Sequence, residues 1–393
     1  MKAGWALTSI GNVCTVIAGQ SPEGQFYNDQ SVGLPFFQGK KDFQEKHIGE
    51  ARVWTSKSTK EAQAGDILMS VRAPVGPINF ATQHCCIGRG LAAIRAGKEC
   101  DADYLYYVLL SKESEISGNE GAVFASINKS EIQKIEIPLP PLEEQRRIVA
   151  VLDKAFAGIA TATANAQQNL TNTRALFDSA LERELGNYET SAPSTTIGSE
   201  VDFCFGFAFK SNRYTSDLSG VRLLRGDNII NGSLRWDGVV RWPAAERDEY
   251  RTFELQSGDV VLAMDRTWVK SGLKFAVIDE NDLPLLLVQR VARMRCRAPL
   301  LNRFLAYQIE SPAFTRYIIG IQTGLGVPHI SGKQIGAFNF IMPSLDEQKQ
   351  IVMRLDALKA LQHTLEAGYQ KKLIALSELK QSLLQKAFAG ELT

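Results

Sequence analysis

Apolar residues follow two rhythms along this chain, and the rhythms alternate. In "PFFQG" (35–39), "DILMSVR" (66–72), "LAAIRA" (91–96) and "IEIPL" (135–139), they cluster over four to seven positions between glycine, proline or charged residues. Such runs predict short β-strands. The stretch "ADYLYYVLLSKESEI" (102–116) is too long for a strand and predicts a helix. From Leu142 onward the spacing changes: Ile148, Leu152, Ala155, Ile159, Ala162, Ala166, Thr173, Leu176 and Ala180 form a stripe of heptad type. Pro141 suits a first helical position, and Glu143 and Glu144 complement the positive end of the helix dipole.

The second half repeats the order. Strands are predicted at "VRLLRG" (221–226), "DVVLAM" (259–264), "KFAVID" (274–279) and "VARMRC" (291–296), with a helix at "NRFLAYQIES" (302–311). A second long helix opens with Ser344 and Glu347 in capping-box spacing and continues through Ile351, Leu355, Leu358, Leu365, Leu376, Leu379 and Leu383. The start "PLPPLEEQRRIVAVLD" (138–153) matches "MPSLDEQKQIVMRLD" (342–356) at an offset of 203, which sets Ile132 on Ile335 and Asp153 on Asp356 without a gap. Fainter echoes pair "AGDILMS" (64–70) with "SGDVVLA" (257–263) and "SIGNV" (9–13) with "TIGSEV" (196–201). An internal duplication is therefore expected, each unit being about half the chain. The tails "LFDSALEREL" (176–185) and "LLQKAFAGEL" (383–392) match at an offset of 207, which predicts four extra residues, a stutter, in the second helix.

The expected fold class is α+β. Two β-rich globular domains, 1–141 and 186–341, alternate with long helices, 142–185 and 342–393. Helices of about 43 residues would run about 65 Å. Parallel packing would force linker and domain to cross that length, whereas antiparallel packing requires almost no crossing. An antiparallel coiled coil with an approximate two-fold axis is thus predicted, as a reader of two inverted half-sites on duplex DNA needs.

Composition narrows the function. Hydrophobic content of 45% and charged content of 22% are those of a globular protein. A net charge of +1 confines any nucleic-acid contact to local patches. Cys14, Cys85, Cys86, Cys100, Cys204 and Cys296 are scattered, without zinc spacing, and predict a reduced chain in the cytoplasm. No apolar run is seen to approach the roughly 18 residues of a membrane span, so no membrane partner is expected. His47, His84, His329 and His363 stand apart, so no metal site is predicted. "DFQEK" (42–46) reads as one solvated charged stretch, and there is neither a Walker motif nor an Asn/Asp-Pro-Pro-aromatic motif. No nucleophile, base and oxyanion site assembles, and no catalytic residue is predicted.

The two Pro-x-Leu-x-Glu-Gln-type helix starts, together with "GDILMSVRAPVG" (65–76), "DYLYYVL" (103–109) and "KAFAGEL" (386–392), closely resemble the specificity subunit of type I restriction-modification systems across the whole chain. The resemblance implies two target-recognition domains, each reading one part of a split, asymmetric sequence in double-stranded DNA, with the helices as a ruler between them. It implies docking of methyltransferase subunits, two being expected, with the helix starts Glu144, Gln145, Glu347 and Gln348 as candidate docking positions. Restriction subunits would complete the complex. S-adenosylmethionine, ATP and Mg are then expected on those partner subunits, with no cofactor and no metal on this chain. A non-catalytic coiled-coil DNA-binding adaptor outside restriction-modification is the alternative.

Arginine and lysine contact phosphates or guanine, and asparagine reads adenine. The DNA-binding candidates are Lys40, Lys41, Arg72 and Arg89 in the first domain, and Arg225, Asn228, Arg266, Lys270 and Arg290 in the second, with Trp268 packing on sugar or base. Each also fits a solvated surface or a structural ion pair. Arg295 matches Arg95 in the first half, which suits a scaffold role.

Overall fold

A computed structural model describes residues 4–117, 126–186, 192–269, 272–321 and 329–392. It forms two compact units, Met1–Gln167 with Gln370–Thr393, and Gln168–Tyr369.

The centre of the first unit is a four-stranded antiparallel sheet in the order Cys14–Ala18, Leu91–Ala96, Ile67–Ser70, Ile78–Phe80. Both faces are covered, which is why these strands read as apolar runs rather than strict alternation. Ile67, Met69, Ala92 and Ile94 pack with the helix Ala102–Ser111, whereas Leu68, Leu91 and Ala93 face Phe37, Cys85 and Ile87 of a second, five-stranded sheet. The helix ends at Ser111, with a separate short helix over Glu113–Ser117, rather than running unbroken to residue 116.

The second unit repeats this plan. Its sheet runs Val201–Phe205, Val291–Cys296, Val260–Ala263, Phe275–Val277, the same order built from the corresponding segments. Val260, Leu262, Ala292 and Met294 pack with the helix Asn302–Glu310, and Val261, Ala263 and Val291 pack on the opposite side. Gly19 and Gly206 hold matching places just after the edge strand. An added Cβ would lie 2.2 Å from the Gly88 carbonyl oxygen in one unit and 2.2 Å from that of Val288 in the other.

One ion pair recurs beneath both sheets. Arg95 Nε and Nη2 donate to the two carboxylate oxygens of Asp66 at 2.8 and 2.7 Å. Arg295 does the same to Asp259 at 2.7 and 2.8 Å. Each aspartate also accepts a backbone amide, from Gln63 or Gln256, at 2.8 Å. Asp66 and Asp259 are 2% and 1% exposed, so three charge-assisted bonds replace the water that each carboxylate loses.

The two long helices are Leu142–Gly186 and Leu345–Ala389. Both span 45 residues; the four extra residues expected before Leu383 lie inside the second helix, which stops at Ala389, before its matching tail is complete. In the first unit Ile148 and Leu152 pack with Leu384 and Ala387, and Arg147 reaches the carbonyl of Leu392. In the second, Phe177 and Leu181 pack with Ile351 and Leu355, Arg174 bonds Glu366 and Arg354 bonds Glu184. The paired segments run antiparallel within each unit. The seam passes through Phe177, 5% exposed, and not through the predicted Leu176, which is 70% exposed, because the stripe drifts past a strict heptad. An 18-residue window of the first helix reaches a mean hydropathy of 1.2, which corrects the expectation that no stretch approaches membrane-span length and composition. Alanine and threonine supply much of it.

Both helix starts are braced from inside. The Gln145 side chain accepts from the Asp101 amide at 2.7 Å and donates to the carbonyls of Glu99 at 2.9 Å and Pro140 at 2.8 Å. Gln348 accepts from the Leu301 amide and donates to the Pro343 carbonyl, each at 2.9 Å. The Ser344 and Glu347 capping box forms as predicted, while Pro141 sits one residue before its helix and its carbonyl accepts from Glu144 and Gln145. A tyrosine on each domain helix ties it to the adjoining long helix: Tyr107 donates to Asp153, and Tyr307 to Asp356. Lys46 of the "DFQEK" stretch pairs with Asp103 at 2.9 Å and Asp153 at 3.3 Å, so its end is a structural tie rather than free solvated surface.

Candidate nucleic-acid interface

The first unit presents its four nominated cations at loops around its sheets. Lys40 and Lys41 form a single exposed turn, Lys40–Asp42. Lys41 lines a concavity of about 780 Å³ with Gln44, His47 and Arg52. Arg72 and Arg89 are exposed, Arg72 lying just past the end of the strand Ile67–Ser70 and bridging Ser126 through its backbone. None of these four forms an ion pair among the described residues.

The second unit divides its candidates differently. Asn228 is 1% exposed; its side chain accepts from the Arg225 amide and donates to the Arg235 carbonyl at 3.2 Å each. It closes a turn and does not face solvent, which corrects its nomination. Arg225 is half-buried, with Nη2 on the Gly238 carbonyl at 3.1 Å. Arg266 and Arg290 are exposed and have left-handed backbones, with φ of 46° and 67°. Such values are uncommon for residues other than glycine and concentrate at sites where geometry serves function. Lys270 and the side chain of Trp268 lie outside the described residues; the backbone of Trp268 pairs with Leu273.

The structure adds residues to this rim that were not nominated. Asp265 bonds His329 Nδ1 through one carboxylate oxygen and lies 3.6 Å from Arg290 Nε through the other. Met264 knits the three together, its amide donating to the Arg290 carbonyl at 2.8 Å and its carbonyl accepting from the Ile330 amide at 3.0 Å. Extending the match of "AGDILMS" with "SGDVVLA" by two residues sets Asp265 on Arg72, a reversal of charge visible in the sequence. No local signal marks His329.

Lys274 is the other addition. It is 6% exposed, and among the described residues its ammonium has neither ion pair nor hydrogen bond. Burial holds its pKa below the ordinary lysine value; Asp227 opposes that shift, and Arg235 and Arg266 reinforce it. Nearby Thr267 is 0% exposed, and its hydroxyl has no partner. A largely buried lysine whose lost hydration Asp227 only partly replaces, beside exposed arginines, costs stability and suits an incoming anion. Below the folded-state pKa this penalty is fully present, and it fades as pH rises towards the unfolded value of about 10.4. Lys274→Met is therefore expected to stabilise the protein by about 1 kcal/mol at pH 7. Urea unfolding at pH 7 and pH 10 checks this, the gain over the native protein shrinking at the higher pH.

The helix-start positions also separate. Gln145 and Gln348 are both 0% exposed, so neither side chain reaches a partner without breaking its brace, which corrects their nomination as docking contacts. Glu144 and Glu347 lie nearer the surface. Large apolar side chains stand exposed farther along the helices: Val151, Ile374 and Leu379 in the first unit, and Leu176, Met353 and Leu361 in the second. Among the described residues no group of three or more His, Cys, Asp or Glu is placed to hold a metal.

A profile of the type I restriction modification DNA specificity domain matches residues 2–172 and 244–375. The putative type I restriction enzyme MjaX specificity subunit of Methanocaldococcus jannaschii is 43% identical over 149 residues, 37% of this chain and 35% of that protein. The match thus spans about a third of that relative's length. The type I restriction enzyme StySPI specificity subunit of Salmonella potsdam is 24% identical over 426 residues, covering 100% of this chain and 90% of its own. A chain solved in a study of complex assembly and conformational transition of the type I R-M system shares the fold, with a TM-score of 0.81, 19% identity and coverage of 100% and 99%. With a duplicated sheet-and-helix unit and a profile match in both halves, the chain belongs to the type I restriction modification DNA specificity domain family.

Proposed function

We propose that this chain is the sequence-specificity subunit of a type I restriction-modification complex, each unit reading one half of a split target in double-stranded DNA. The observation that carries the reading is a constant scaffold under a variable rim. Both units keep the same strand order and the same buried arginine–aspartate tie. At matching rim positions the second unit has Asp265 for Arg72, Arg290 for Gly90 and His329 for Ser126. Two readers of different base sequences require that combination, since phosphate contacts position a protein and only base contacts distinguish sequences.

In this reading the exposed Arg266 and Arg235 contact a phosphate with Lys274 adding charge from beneath, and Lys40, Lys41, Arg72 and Arg89 serve the other half-site. The exposed apolar side chains of the long helices are the positions offered for docking of methyltransferase subunits, two in the full complex. S-adenosylmethionine, ATP and Mg belong to those methyltransferase and restriction subunits, and this chain supplies specificity without catalysis in the cytoplasm. The helices set the spacer between half-sites.

Single-molecule methylation sequencing of DNA from cells co-expressing this chain with its methyltransferase subunit tests the proposal. The expected result is a split adenine-methylated motif that disappears without this chain. Complex formation with no methylated motif would favour the adaptor reading instead.

A further inference from the structure

We propose that Arg290 reads a guanine in the half-site of the second unit, with its guanidinium aimed by Asp265, which His329 holds in turn. The inference rests on the DNA-reading role proposed above and names one base contact within it.

Three observations point there. Arg290 has a side chain 60% exposed, and among the described residues its ion pair is through Nε, 3.6 Å from Asp265. Because that contact is through Nε, the terminal nitrogens can serve as the fork whose geometry matches O6 and N7 of guanine. Its backbone is fixed in the left-handed region at φ 67°, with its carbonyl bound by the Met264 amide. The base of the side chain is thereby anchored, and its guanidinium is oriented by the ion pair with Asp265.

Charge decides between base and phosphate. Asp265, 3.6 Å from Arg290 Nε, would repel a phosphate while leaving the arginine able to donate to a neutral base edge. Around Lys274, Arg235 and Arg266 add positive charge and Asp227 opposes it, a balance that suits a phosphate better than the Asp265–Arg290 pair does. The two clusters of this rim thus divide between positioning and reading. The first unit, with Arg72, Gly90 and Ser126 at the matching places, lacks the device.

The experiment compares the full chain with Arg290→Lys, Arg290→Gln and Asp265→Asn, each co-expressed with the methyltransferase subunit. Methylated motifs are sequenced, and the ratio of binding to duplexes differing at single base pairs is then measured for the resulting complexes. The expected result is a G·C pair in one half-site whose discrimination falls by about tenfold or more in both Arg290 variants. Asp265→Asn should relax the same pair, while the other half-site keeps its bases. Because lysine keeps the charge and loses the fork, an unchanged motif with Arg290→Lys, alongside uniformly weaker binding with Arg290→Gln, would identify a phosphate contact and overturn the proposal. Relaxation at an A·T pair or in both half-sites would overturn it too. If the native chain directs no split motif, the proposed function fails first; a split motif indifferent to Arg290 removes this inference alone.

Discussion

Replacing Arg295 by alanine should lower the stability of the second unit by about 3 kcal/mol, the low end of the range for breaking a buried ion pair. The loss comes from what stays behind. Asp259 is 1% exposed and would keep only its bond from the Gln256 amide, whereas the arginine side chain is 33% exposed and gives up little on leaving. Water entering where the guanidinium stood would screen part of the stranded charge, which keeps the effect from the upper end. Arg95→Ala should do the same to the first unit, since Asp66 has the same three partners. Urea unfolding of both variants checks the pair. Arg295→Ala combined with Asp259→Leu should recover much of the loss, because the stranded carboxylate is then gone; a double variant no more stable than the single would sink this account.

Gln145→Ala should cost a comparable amount, about 3 kcal/mol, through hydrogen bonding rather than charge. It strands one amide and two carbonyls, each worth about 1 kcal/mol or more when buried without a partner. Gln348→Ala strands two partners, the Leu301 amide and the Pro343 carbonyl, and should cost less. The order of the two unfolding midpoints tests whether these glutamines act as internal braces. If they were docking contacts, alanine would leave the free chain's stability unchanged and weaken only assembly.

These positions also show what could be read from sequence and what could not. The Glu-Gln pair was legible as a repeated signature, but its spacing looks the same whether the glutamine points inward or out. Orientation emerged only when the loops before Asp101 and Leu301 were brought against the helix starts. The strands 91–96 and 291–296 were legible because apolar runs bounded by charges need no tertiary information, and Arg295 was legible through its partner position Arg95. Leu176 misled because a strict heptad accumulates error over a helix of 45 residues. At the rim, Arg290 and Arg266 were found as basic residues beside turns. Asp265 and His329 were missed because 64 residues separate them and only the fold makes them neighbours. Asn228 was misassigned because an asparagine that closes a turn and one that reads adenine have the same local surroundings in sequence.

The first unit draws on two distant stretches of chain. Leu384 and Ala387 are fully buried in its core, and Phe388 stacks edge-on to Tyr104 at 5.6 Å. The second unit is continuous, Gln168–Tyr369. On the ribosome, therefore, the unit that begins first finishes last. The groove around Ile148 and Leu152 stays open to water until residues 384–388 emerge, by which time the whole of the second unit has been made. At about 5–20 residues per second, that exposure lasts on the order of ten seconds or more, a window in which a chaperone or another nascent chain meets bare apolar surface.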